Sequence, residues 1–128
     1  MLLKKVRYNH LDVGRDAETE AKKYLENHGL RFIEANYRCY RGEIDLIMQD
    51  NDYLVFIEVR QRSKIAYGNA IESISHSKKR KIILAATHYL QKSKLLYTAP
   101  CRFDMIAIHP VEGKTRLEWL KNAFTLDS

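Results

Sequence analysis

The chain has 128 residues, 45% of them hydrophobic and 30% charged, with a net charge of +6, which bounds it to one compact domain with a core. Its two cysteines, Cys39 and Cys101, stand far apart with no C-x-x-C, which fits free thiols in a reducing cytoplasm better than a disulfide framework. No apolar run reaches the length of a membrane span, residues 1–13 lack the apolar core of a signal peptide, and the positive charge suits either an anionic partner such as nucleic acid or an unspecialised basic surface.

Residues 1–13 have no clear period and read as a basic arm, followed by a single domain over 14–124 and a tail at 125–128. From Asp16 to His28, Ala17, Ala21, Tyr24 and Leu25 recur at helical spacing, and Gly29 is a fitting stop. The β-rich run "LRFIEANYRCY", 30–40, predicts a strand that bends before Arg41 and Gly42. "EIDLIM" and "YLVFIEV" flank the polar turn signal "QDND" and predict a hairpin. Residues 63–75, with Gly68 and several serines, read as a loop with a short helical turn. "SKKRKIILAATHYLQKS", 77–93, predicts a helix whose buried stripe is Ile82, Ile83, Ala85, Ala86, Tyr89 and Leu90. "CRFDMIAIH", 101–109, predicts a strand, and "RLEWLKNAF", 116–124, a short strand running into the tail. Because "LIM" and "LVFIEV" are apolar at consecutive positions, the sheet is expected to be covered on both faces, giving an α/β layered domain in the order α-β-β-β-α-β-β.

The hairpin carries acids among its apolar runs. Alternation puts Glu43, Asp45 and Ile47 on one face and Leu54, Phe56, Glu58 and Arg60 on one face of the next strand. A turn centred on Asp50 and Asn51 would set Glu43 opposite Glu58, Asp45 diagonal to Glu58, and Arg41 opposite Arg60. Like charges so placed destabilise a sheet unless something neutralises them, and a hard divalent cation such as Mg²⁺ or Mn²⁺ prefers carboxylate and water oxygens. Two readings stay open on the residues alone: a metal site, or solvated strand ends paired with Arg41, Arg60 and Arg62.

Asp45, twelve intervening residues, and then Glu58-Val59-Arg60 resembles the PD-(D/E)xK nuclease signature, with Glu18 available on the preceding helix. Over nearly the whole chain, the segments "GRDAETEAKKYLENHG", "NYRCYRGEIDLIM", "YLVFIEVRQR", "AYGNAIESISHSKKRKI" and "CRFDMIAI" resemble, in that order, the YraN-like uncharacterised family 0102, related to archaeal Holliday-junction resolvases. The resemblance implies a restriction-endonuclease-like fold, a central mixed sheet flanked by helices, and a role on DNA, branched or damaged DNA in particular. It implies Glu18, Asp45 and Glu58 as metal ligands for Mg or Mn, and Arg60 at the position where the signature has Lys. Ala17 replaces the family's usual Gly. Arginine keeps its proton at useful pH, so a Lys-type base role is excluded at Arg60, which is left to hold the scissile phosphate. A homodimer follows by analogy with the two-fold resolvases only.

Basic residues surround the acids. Arg38, Arg41, Arg60, Arg62 and Lys64 are expected to rim a phosphate groove, and Lys78, Lys79, Arg80 and Lys81 crowd the start of the second helix, where they oppose the helix dipole. Lys78 is a candidate for the ammonium missing at position 60. Each cluster also fits a plain solvated face, and Glu43 is a secondary ligand candidate or a partner for the arginines. Tyr37, Tyr40 and Tyr67 are candidates for stacking on bases or for packing. The five histidines show no zinc spacing. Arg102 and Asp104 lie on one strand face and suit a structural pair better than a ligand role, and Trp119 packs the tail onto the sheet or serves a dimer contact. Against the metal-dependent phosphodiesterase stand two other readings, a non-catalytic DNA-binding module and a protein-interaction subunit.

Overall fold

A computed structural model describes residues 10–61, 74–111 and 114–125. The elements are α1 (His10–Asn27), β1 (Arg31–Cys39), β2 (Gly42–Asp50), β3 (Tyr53–Gln61), α2 (His76–Lys92), β4 (Cys101–Val111) and β5 (Lys114–Phe124), in the order expected. The strands form one five-stranded mixed sheet in the order β1-β2-β3-β4-β5. Neighbours are antiparallel except β3 and β4, which run parallel because α2 carries the chain back across the sheet.

Each face of the sheet is covered by one helix. Ala17, Ala21 and Leu25 of α1 pack on Leu46, Met48, Val55, Ile57, Ile106 and Ile108. Ile82, Ala85 and Ala86 of α2 pack on Ile47, Leu54, Phe56, Phe103, Met105 and Ala107. Strand β3 therefore sends Leu54 and Phe56 one way and Val55 and Ile57 the other, which is why its sequence is apolar at every step. Among the described residues no helix is long and apolar enough to cross a membrane.

Three boundaries differ from expectation. Helix α1 starts at His10, six residues before Asp16, and so takes in residues 10–13 of the expected arm. Its end is as read: Gly29 has φ +96°, and Leu30 N–H donates to Leu25 C=O, closing the last turn. Strand β5 begins at Lys114. In the hairpin Asp50 pairs with Tyr53, so the turn is Asn51-Asp52 with Asn51 at φ 54°. The pairing thus slides by two residues from the expected register. An even slip keeps every side chain on its expected face but changes which residues meet. Residues 63–73 of the expected loop, with Lys64, Tyr67 and Gly68, lie outside the described residues, as does Arg62.

On the α1 face, toward the β2–β3 turn, Asp104 is fully buried and fully bonded. Arg102 Nε donates to its Oδ1 at 2.9 Å, Trp119 Nε1 donates to Oδ2 at 2.9 Å, and the Asn122 N–H donates to Oδ1 at 2.9 Å. Arg102 Nη2 also reaches Asp50 Oδ2 at 2.9 Å. Asp104 is therefore a structural anchor for β5, and Trp119 holds the last strand to the sheet.

Candidate metal centre

The β2–β3 ladder runs from Asp50↔Tyr53 to Leu46↔Ile57 and stops there. One step further, the Asp45 side chain takes over: its Oδ2 accepts the Val59 N–H at 2.8 Å. This bond fixes Asp45 against β3 where the strands part, beside Glu58. The corrected register makes Asp45, rather than Glu43, the residue that meets Glu58. The two carboxyls stand close enough that each perturbs the other.

A buried Glu58 and a half-buried Asp45 side by side cannot both be charged at low cost. Glu58 is 5% exposed. Burial first, and then the charge of Asp45, push its carboxyl up to about 8, although the Lys78 ammonium opposes the shift. Asp45 is also raised, first by burial, with the Val59 N–H and the Glu58 hydrogen bond pulling the other way. Near neutral pH the Glu58 carboxyl therefore keeps its proton beside Asp45. Lys78 Nζ, from the first turn of α2, stands 3.7 Å from Glu58 Oε2.

Glu18 approaches from α1 without joining the pair. Among the described residues no group of three His, Cys, Asp or Glu side chains is placed to hold one metal ion. The three-carboxylate convergence expected from the sequence is thus two carboxylates in contact and a third beside them. The Asn36 amide, on β1, donates to the Glu18 carboxylate. Burial and the Asp45 charge raise the Glu18 carboxyl, so the third acid still feels the pair. Two adjacent carboxyls, one buried and one half-buried, suit a hard divalent cation that neutralises both, and so the donor set fits Mg²⁺ or Mn²⁺ at Asp45 and Glu58.

Beside the pair lies a groove of about 630 Å³ between the β1–β2 turn and the start of α2. Arg38 and Arg41 line one wall, and Lys78, Arg80 and Lys81 line the other. Gly42 brings the walls together: a Cβ there would sit 2.1 Å from the Lys81 carbonyl oxygen, so only glycine allows this approach. Helix α2 opens without an acid in its first turn, and Ser75 caps it by accepting the Lys78 N–H at 3.1 Å.

The sequence matches the model of the uncharacterised protein family UPF0102 over residues 17–108. The chain belongs to this family. A UPF0102 protein of Ectopseudomonas mendocina is 48% identical over 116 residues, spanning 91% of this chain and 97% of the relative. One of Nitrosococcus oceani is 47% identical over 119 residues, 93% of this chain and 96% of the relative. One of Cupriavidus pinatubonensis is 51% identical over 116 residues, 90% of this chain and 87% of the relative.

The other candidates in this UPF0102 chain divide. Arg60 follows Glu58 on the same face, and its charge reaches the Glu58 carboxylate. Glu43 is an exposed rim residue, 3.8 Å from Arg38, and its charge acts on Asp45. Lys79 turns from the groove to the ring of Phe124, 5.9 Å away. Tyr37 is buried and hydrogen-bonds to His88 Nδ1, a packing role, whereas Tyr40 is 95% exposed. Three participants were not singled out from the sequence. Asn36 sits at φ 56° within β1 and holds Glu18. The Val59 N–H holds Asp45. Gly42 shapes the groove. A glycine just before an acidic strand was the one readable signal among them.

Proposed function

We propose that this UPF0102 protein is a divalent-metal-dependent phosphodiesterase acting on DNA. The observation that carries the reading is the half-buried Asp45, held by the Val59 N–H, beside the buried Glu58, with Lys78 reaching Glu58 from a groove lined by five basic residues and one acid. Asp45 and Glu58 are the residues that would hold Mg²⁺ or Mn²⁺. When bound, the ion supplies an activated water and neutralises charge on the phosphate.

The chain's own residues do the rest. Val59 N–H fixes Asp45 for its task. Lys78 brings an ammonium 3.7 Å from Glu58, which is the amine that position 60 lacks. It is placed to hydrogen-bond an attacking water or a phosphate oxygen. Arg60 holds the scissile phosphate, with the fork geometry that arginine brings to such oxygens. Glu18, held by Asn36, orients water on the α1 side. Arg38, Arg41, Arg80 and Lys81 take flanking phosphates, giving a salt-dependent affinity. The free thiols of Cys39 and Cys101 suit a reducing compartment, so the reading places the protein in the cytoplasm. By analogy with two-fold resolvases it includes a homodimer.

The test is incubation with flap, junction, single-stranded and duplex DNAs, with and without Mn²⁺. Cleavage should need the ion and vanish in Asp45→Asn and Glu58→Gln, both of which preserve shape. Unchanged cleavage in either variant removes the role given to that carboxylate. A second reading, a non-catalytic DNA-binding module, draws on Arg60 standing where the nuclease signature has Lys. It predicts salt-dependent binding with no turnover on any of these DNAs.

A further inference from the structure

We infer that Tyr40 is a stacking platform for an unpaired nucleobase, so that the strand taken into the groove has bases outside a duplex. This rests on the DNA reading above and narrows its substrate to single-stranded or strand-opened DNA.

The loop between β1 and β2 is two residues, Tyr40 and Arg41, closed by the Cys39↔Gly42 pair. Loops of this length favour Asn, Asp and Gly, because the turns that match strand twist need left-handed backbone. Neither Tyr40 nor Arg41 has such a φ, and neither is a turn-forming residue type. Nor does the Tyr40 ring contribute to the core: it is 95% exposed, while Tyr37 three residues earlier is buried. The neighbour over its ring is the Arg41 guanidinium, 5.8 Å from the centroid. The turn is pinned, since Gly42 lies against the α2 backbone at the Lys81 carbonyl. An aromatic face is thus held at the lip of a groove whose Arg38, Arg41 and Lys81 would bind phosphates.

A base inside a duplex has both faces covered by its neighbours, and a ring at a groove lip stacks only on one that has left the helix. Such stacking is tolerant of sequence, because every base has a π-face. Tyr97 supplies the control. It too is 95% exposed, but it follows the far end of α2, whose length is about 25 Å.

The experiment measures fluorescence anisotropy of an oligothymidylate and of a duplex of equal length, in EDTA to suppress cleavage, at two salt concentrations. Tyr40→Ala should weaken single-strand binding by roughly 5- to 150-fold and leave duplex binding within about twofold. Tyr40→Trp should keep the affinity, and its indole emission should be quenched by the oligothymidylate beyond any change at Trp119. Tyr97→Ala should behave as wild type. Single-strand affinity unchanged in Tyr40→Ala, an equal loss on both DNAs, or an equal loss in Tyr97→Ala overturns the inference while leaving the DNA reading intact. No salt-dependent binding of either DNA by the wild type overturns the DNA reading and this inference with it.

Discussion

Replacing Glu58 with Gln should stabilise the metal-free protein, and increasingly so as pH rises. Glu58 binds its proton more tightly in the folded chain, about 8 against an ordinary 4.5. Below the ordinary value both folded and unfolded forms are protonated, so nothing is lost. Between 4.5 and about 8 the unfolded form ionises first, and folding stability falls. At about 1.4 kcal/mol for each pH unit between the two values, the loss approaches about 5 kcal/mol above pH 8 as an upper bound. Gln keeps the shape and can donate to Asp45 without carrying charge. Thermal unfolding in EDTA, followed by circular dichroism from pH 5 to 8, reads the difference. The melting temperature of Glu58→Gln should exceed that of wild type by little at pH 5 and by up to about 15–20 °C at pH 8, since 1 kcal/mol corresponds to about 3–5 °C at this chain length. Adding Mn²⁺ at pH 8 at a hundred times its dissociation constant should restore about 2.7 kcal/mol to the wild type and nothing comparable to the variant. A melting-temperature difference that stays flat across this range would show that Glu58 does not hold its proton above the ordinary range.

Titration calorimetry with Mn²⁺ should give heat with wild type and none with Asp45→Asn; no heat in either would argue against a metal role. Lys78→Met should lower Mn²⁺-dependent cleavage by about 100-fold or more while DNA affinity changes by only a few-fold, because one of five groove cations is lost and the amine near Glu58 is gone. Gly42→Ala should destabilise the fold by about 1–3 kcal/mol and weaken DNA binding, since its methyl collides with the Lys81 carbonyl; denaturant unfolding and anisotropy measure both. Asp104→Ala should cost about 3–5 kcal/mol in urea unfolding, because the buried Arg102 and the Trp119 indole lose their acceptor, yet leave the Mn²⁺ heat of the folded protein unchanged.

Much of the scaffold was readable, and the reasons are specific. The consecutive apolar residues of β3 announced a strand covered on both sides, and Leu54 and Phe56 do face α2 while Val55 and Ile57 face α1. The faces of Asp45 and Glu58 survived an error in register because the slip was even. The register itself was hidden, since any pair within "QDND" makes a plausible turn; the left-handed φ of Asn51 decides it. The start of α1 was hidden because residues 10–15 lack the small apolar period that marks Ala17, Ala21 and Leu25. Asn36 left no trace in the pattern, because a single left-handed residue does not alter a β-rich composition. The partnership of Lys78 with Glu58 spans 20 positions in sequence and exists only once α2 docks on the sheet.

Two buried acids on opposite faces of this sheet have been treated very differently. Asp104 has a guanidinium, an indole and a backbone amide arranged around it; Glu58 has another acid and a single ammonium at 3.7 Å. A chain able to appease one carboxylate so completely has left the other frustrated. Foundation and reactive end are thereby separated, and the second can be retuned by substitution without loosening the first.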